Sequence, residues 1–334
     1  MTIEQRIDEF DPRRVASGGK QAFLLRFDEQ AQNGPDLLPV LVARGTRQGK
    51  TLVAMAGVHG DEYEGVQTIQ DVFRSLDPQA MSGTFIGVPV ANLAAHRAGT
   101  RLTPADQGNL ARAFPGNAEG TATERLASAL AKHVIRWADF LVDLHSAGLK
   151  YAFPPLVGYD ASGTAVGKQS RAAAFAFGTP VVWGHPSIPA GRTISEASAR
   201  GIPWLYTEAS GAGRIAADDL GLFVRGTVNV LKFLNILPGR PDAPPPSFHL
   251  FGEGDTDRLS SFKEGGFFVP NLRLLDCVEA GQSIGHVRDL VGETIEEIVA
   301  REAGYLVFLR ATPVVAPGDA VCIVAARAPS SDNG

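Results

Sequence analysis

TLVAMAGVHGDEYEG, residues 51–65, decides how the rest of the chain is read. Leu52 to Ala56 are apolar without interruption, too continuous for a strand with one wet face, so 51–57 reads as a strand buried on both sides. It ends at Gly57, crosses the polar turn HGDE and enters a helical pattern over Tyr63–Leu76. A buried strand that turns into a helix is the half-unit of an α/β sheet covered on both faces. Ligands of such sheets gather just past the C-terminal ends of the strands. His59 and Glu62 stand there, three residues apart.

Outward from this segment the same texture repeats. Residues 21–27 and 38–43 read as strands before it, and Gly83–Val90 as an apolar strand after it. A helix fits Ala122–Trp137, opened by Thr121 and Glu124 at capping-box spacing. Phe140–Leu144 is again a short apolar strand, followed by a helix over Ala165–Phe177 and a strand over Pro180–Trp183. Ile194–Ala199 suits a short helix, Trp204–Thr207 a strand, and Asp218–Leu234 a long helix. The expected fold class is therefore α/β, a mostly parallel mixed sheet flanked by helices. PGRPDAPPPS, residues 238–247, is an extended connector, because its prolines cannot continue a helix. Beyond it come short β-like runs split by glycines: Gly265–Val269, Ser283–Val287, Glu296–Ala300, Gly304–Leu309 and Val321–Ala325. Two domains are expected, an α/β domain over 1–240 and a smaller all-β, barrel-sandwich-like domain over 248–330.

Composition narrows the partners. With 31 Lys+Arg against 36 Asp+Glu and no basic run, the chain lacks the face that nucleic acid needs. The opening MTIEQRIDEFDPRR has no apolar core and is not read as a signal peptide. No apolar run reaches the roughly 20 residues of a membrane span. A cytoplasmic protein without membrane or nucleic-acid partners is expected. Cys277 and Cys322 read as two buried thiols rather than a disulfide scaffold.

The second informative segment is FLVDLHSAG, residues 140–148, where another buried strand ends at His145. Two histidines and a carboxylate delivered by neighbouring strand ends form the ligand set of a catalytic zinc site with one position open for water. Such an ion lowers the pKa of water to roughly 7 and polarises a carbonyl. The same donors also suit cobalt, nickel or iron. A plainer reading keeps both histidines as loop residues, since His-x-x-Glu arises often by chance. Arg101 and Arg112 lie in the Gly-, Pro- and Asp-rich loop GTRLTPADQGNLARAFPG, residues 99–116. Guanidinium groups there suit carboxylate recognition or an oxyanion, or are simply solvated. Glu208 in YTEASG ends one more buried strand and is placed to take a proton from water, or else to cap a helix. Asp143, two residues before His145 on the same strand face, either orients that ligand or is structural. His96, His133, His185, His249 and His286 have no partner at a recognisable spacing and are not read as ligands.

In this order GVHGDE, R-x(n)-D-x-x-N-L-x-R-x-F-P-G, DLHSAG and TEASG resemble the succinylglutamate desuccinylase/aspartoacylase family, which has the zinc carboxypeptidase-like fold. The resemblance spans roughly residues 50–215. It implies one zinc ion per chain on His59, Glu62 and His145, with Glu208 as the general base. It implies further that Arg101 polarises the scissile carbonyl, and that Arg112 and Asn109 bind substrate. Ala111 departs from the pattern, because the family carries asparagine before the arginine. Within the family, the loop and tail look most like the branch containing N-acetyl-diaminobutyrate deacetylase. The activity implied is hydrolysis of the amide bond of a small N-acyl amino acid. Its rivals are a zinc carboxypeptidase acting on peptides or cell-wall fragments, and a non-catalytic scaffold. FFVPNLRLLDCVEAGQSIGHVRDLVGE resembles biotinyl and lipoyl carrier domains, but Lys263 has no carrier setting. The tail is instead expected to wall the cleft, limit substrate size or pack between subunits of a homo-oligomer.

Overall fold

The computed structural model describes residues 2–28, 36–254 and 260–329; residue 330 of the expected second domain lies outside the described residues. In chain order the strands and helices begin with β1 (Thr2–Arg6), β2 (Gly19–Asp28), β3 (Asp36–Arg44), β4 (Arg47–Ala56), α1 (Glu64–Ser75), β5 (Ser82–Val88) and α2 (Leu93–Ala98). Next are α3 (Ala122–His133), β6 (Phe140–Ser146), β7 (Tyr151–Ala152), β8 (Leu156–Asp160), α4 (Ala165–Phe177) and β9 (Val181–His185). Then follow α5 (Thr193–Ala199), β10 (Trp204–Ala209), α6 (Ala217–Phe233), β11 (Phe248–Phe251), β12 (Gly266–Pro270) and β13 (Cys277–Val278). The chain closes with β14 (Ser283–Arg288), β15 (Thr294–Val299), β16 (Gly304–Arg310), β17 (Val314–Val315) and β18 (Cys322–Arg327).

One large mixed sheet has the order β1-β2-β3-β5-β4-β6-β10-β8-β9-β11-β18-β16-β13, with β7 paired to β16. Its centre, β5-β4-β6-β10, is parallel. The continuous apolar run of β4 is explained by burial on both faces. Leu52, Ala54 and Ala56 face one core layer with residues of α1, α4 and α6, while Val53 and Met55 face the opposite layer with residues of α3. Leu52, Val53 and Met55 each contribute about 1.5–3 kcal/mol when withdrawn from water, so this strand cannot slip register by one residue without a large loss. Gly57 ends β4 at φ +61, a left-handed conformation that costs glycine nothing and turns the chain toward His59. The capping box is present at α3, with Thr121 and Glu124 satisfying each other's backbone N–H groups.

From Phe248 onward the described residues form strands but no α-helix. β11, β18, β16 and β13 extend the large sheet, and β15-β14-β12-β17 make a separate antiparallel sheet around Phe268, Ile284 and Val287. Several elements differ from the sequence reading. α3 stops at His133, and Ile135–Trp137 is a separate 3-10 turn, because Val134 leaves the helical path with ψ −60 and φ −117. β1 has no apolar face to betray it and lies exposed at the sheet edge. β8 carries only five residues behind Pro154-Pro155; β10 and β9 flank it, and Val157 and Tyr159 share a core with Ala173, Ala174 and Phe177 of α4. Cys277 is exposed rather than buried, and only Cys322 is buried. Among the described residues no helix is long and apolar enough to cross a membrane.

Candidate metal centre and catalytic cleft

β4 and β6 run parallel with Ala56 beside Leu144, so the turn after β4 and the end of β6 meet on one rim. β10 lies on the other side of β6 and sets Glu208 beside His145. Topology thus delivers three functional segments to one edge of the sheet. The Glu62 carboxylate sits between the two histidines, 2.7 Å from His59 Nδ1 and 2.8 Å from His145 Nδ1. All three side chains are almost fully buried.

The outer nitrogens of both imidazoles are held from behind. His59 Nε2 donates to Asn109 Oδ1 at 3.0 Å, and His145 Nε2 pairs with Asp143 Oδ2 at 3.0 Å. Asp143 is itself fixed by the Thr193 hydroxyl. These bonds turn both Nδ1 atoms inward, the arrangement by which a metal-binding histidine is oriented through its second nitrogen. Ligand atoms of His59, Glu62 and His145 lie within 4.8 Å of one another. Two imidazole nitrogens and a carboxylate at that spacing fit one divalent ion with an open position. Asn109, read from sequence as a substrate contact, has its side-chain oxygen engaged by His59 and by the Ala111 N–H at 3.0 Å. That oxygen stands behind the His59 ring, while the residue also lines the cavity.

Electrostatics follow from burial. Desolvation pushes Glu62 up, but the two histidines outweigh it and hold the carboxyl well below its usual range. Desolvation opposes charge on His145, yet Asp143 and Glu62 prevail and hold it well above the imidazole range. Glu208 is pushed up to about 8, first by burial and then by the charge of Glu62. Its Oε2 is buried without a hydrogen-bond partner among the described residues. Such a carboxylate is free to exchange a proton with a bound molecule. Arg101 Nη1 donates to Glu62 Oε1 at 3.0 Å, which puts a guanidinium at the mouth of the cradle.

A cavity of about 530 Å³ opens over this cradle. His59, Glu62, Arg101, Asn109, Arg112, His145 and Glu208, the seven residues singled out from sequence, all line it. So does Ala111, the position that departs from the family pattern. The structure adds residues that spacing did not reveal. His185 ends β9, much as His145 stands one residue before the end of β6, but its partners, Tyr206 and Gly252, are far away in sequence and leave no local spacing to read. Arg192 and Trp183 line the same space. Tyr151, Phe308, Ala320 and Ile323 close one wall, the last three coming from the C-terminal strands and their loops.

Fold and site together define an α/β chain whose parallel sheet centre presents a His-Glu-His metal cradle beside a buried glutamate. The chain belongs to the succinylglutamate desuccinylase/aspartoacylase family, whose catalytic-domain profile matches residues 48–234. It is 31% identical over 320 residues to an N-alpha-acetyl-L-2,4-diaminobutyric acid deacetylase of Halomonas elongata, covering 93% of this chain and 92% of that protein. A succinylglutamate desuccinylase/aspartoacylase structure from Rhodobacter sphaeroides superposes with a TM-score of 0.86 at 30% identity, covering 96% and 98% of the two chains. The product-bound ectoine utilization protein EutE (DoeB) of Ruegeria pomeroyi gives 0.86 at 28% identity, covering 93% and 97%.

Proposed function

We propose that this chain is a zinc-dependent deacylase that hydrolyses the amide bond of a small N-acyl amino acid. The observation that carries the reading is the meeting of the ligand cradle, Glu208 and Arg101 in one cavity. His59, Glu62 and His145 would hold a divalent ion, which would supply Lewis acidity toward the carbonyl and an acidified water. Glu208 accepts the proton of the attacking water and returns it to the departing amine nitrogen. Arg101 holds the oxygen that becomes negative as the carbonyl carbon turns tetrahedral. Arg112 grips the substrate carboxylate, and Asp143 with Asn109 keeps the two imidazoles aimed. The substrate in the name of the Halomonas elongata relative, N-alpha-acetyl-L-2,4-diaminobutyric acid, favours an N-acetylated diamino acid here too. The sequence regions 1–240 and 248–330 are assigned as the hydrolase unit and its β extension, the protein being cytoplasmic and open to forming a homo-oligomer.

A carboxypeptidase needs an open cleft for a chain of residues. Tyr151, Phe308 and Ile323 wall the cavity instead, which favours a short substrate. Glu208→Gln keeps the side-chain volume and removes the base. With metal stoichiometry unchanged, kcat on N-acetyl amino acids should fall by at least about 100-fold, with a smaller effect on KM. A variant retaining near wild-type kcat would remove Glu208 from this role. Hydrolysis of dipeptides faster than N-acetyl amino acids by the wild type would favour the carboxypeptidase.

A further inference from the structure

The core that joins the C-terminal strands to the catalytic sheet does not close. Ala147, Phe153, Trp183, Phe308 and Ile323 belong to it, with Tyr151 packed against them, and all six also line the cavity over the His-Glu-His cradle. Tyr206 and Ala320 do the same from the edge of that core. Three of the rings lie together: Phe308 is 4.7 Å from Tyr151 and 4.9 Å from Phe153, centroid to centroid. A hydrophobic core that ends on a cavity leaves apolar surface that a guest can withdraw from water.

This wall starts at the reacting centre. Ala147 is two residues past His145, and its N–H donates at 3.3 Å to the carbonyl of Ala209, the residue after Glu208. The Ala212 N–H donates to the Tyr151 carbonyl at 3.2 Å, and Ala152 bridges to Gly211. The segments that carry a ligand histidine and the buried glutamate are thus both stitched to the apolar wall. The cations Arg101 and Arg112 come from the separate loop over 99–116. Arg310, 5.4 Å from the Tyr151 ring, is held by Asp319 at 3.0 Å and by the Thr312 and Val314 carbonyls, so its charge is already used.

An N-acyl amino acid has a charged half and an uncharged one. Its carboxylate cannot lie on an apolar wall without losing hydration that nothing there replaces. The acyl group carries no charge and extends directly from the carbonyl carbon. The cavity of about 530 Å³ falls in the range of about 300–1,000 Å³ that buries drug-sized ligands, and a single acetyl methyl cannot cover three rings.

Resting on the deacylase reading above, we propose that the wall of Tyr151, Phe153, Phe308, Ala320 and Ile323 is an acyl subsite that selects uncharged, compact apolar acyl groups larger than acetyl, such as butanoyl and phenylacetyl. The closed wall that stops a peptide chain gives such a group a surface to end on.

One amine, 2,4-diaminobutyrate, acylated on its α-nitrogen with acetyl, butanoyl, phenylacetyl or succinyl, tests this. For the zinc-loaded wild type, kcat/KM should favour butanoyl and phenylacetyl over acetyl by at least about tenfold, since one methylene in an apolar pocket is worth about 10–200-fold. Succinyl has the four carbons of butanoyl plus a carboxylate, and should fall at least about tenfold below it. Ala320→Phe fills part of the subsite and should cut the butanoyl-to-acetyl ratio at least about fivefold. Tyr151→Leu removes a ring from the wall and should lower the phenylacetyl-to-butanoyl ratio, which decides the matter if Ala320→Phe fails to fold. A wild type that prefers acetyl or succinyl, or treats all four alike, would overturn the proposal while leaving the deacylase reading intact. A folded variant that keeps the wild-type ratio, slowing every substrate equally or none, would make its residue merely structural and overturn it as well. If the zinc-loaded wild type hydrolyses none of the four, the deacylase reading itself falls, and this proposal with it.

Discussion

His185 shows how one buried side chain can tie stability to pH. Its ordinary pKa of 6.5 drops to about 4 through burial, with the Gly252 carbonyl opposing the shift and the Arg192 charge adding to it. The unfolded chain therefore binds a proton at a pH where the native one does not, and stability rises with pH across that window. The contribution is complete above about pH 6.5 and lost as pH falls toward 4, amounting to about 3 kcal/mol. Denaturant unfolding of wild type and His185→Gln at fixed metal loading should show their stability difference shrinking by about that amount from pH 7 to pH 4. A difference that stays constant would mean that His185 titrates normally. The residue was hard to read from sequence for a related reason. His59 and Glu62 advertise themselves at a spacing of three, whereas His185 meets Tyr206 and Gly252 only after β9, β10 and β11 have assembled. Asn109 was legible as a site residue, but its bond to His59 depends on how the loop after α2 folds back over the cradle.

At the scale of elements, the strands that ended in chemistry were those with uninterrupted apolar runs. β4, β6 and β10 sit in the centre of the sheet, where both faces demand apolar side chains, so their ends were visible in the sequence. β8 was not, because it is brief, runs antiparallel to β10 and keeps a glycine under an aromatic ring. That glycine gives a sharp test. Gly158→Ala would drive a methyl into the Tyr206 ring, and overpacking of this kind costs about 1–3 kcal/mol. The ring should move off His185, so KM should rise along with the loss of stability. Wild-type melting temperature and KM in this variant would show that the ring has room the structure does not display.

Across the whole molecule, the C-terminal strands are joined to the catalytic sheet instead of hanging from the proline-rich connector. β11 pairs in parallel with β9 and antiparallel with β18, and β16 pairs with β7. Trp183, Leu156 and Val181 share a core with Leu250, Phe308 and Ile323 of those strands. A chain ending at residue 247 would expose that core and leave β9 as an unprotected edge, a template for aggregation. Such a truncation is expected to elute as soluble aggregate or precipitate under conditions where the full chain stays in solution. A soluble, folded fragment would mean that the extension is dispensable to the hydrolase unit. The change to a β-rich texture beyond the connector was legible from its glycines. The docking of that segment was not, since strand pairing between distant segments leaves no local pattern.

The central claim is that His59, Glu62 and His145 hold the ion on which deacylation depends. Its most direct test is the zinc content of purified wild type beside His145→Ala, measured together with hydrolysis of an N-acetyl amino acid before and after chelation. About one zinc per wild-type chain is expected, lost in the variant, with activity that disappears on chelation and returns with added zinc. A wild type that binds no divalent ion when offered one, or that hydrolyses its substrate equally well after complete chelation, would contradict it.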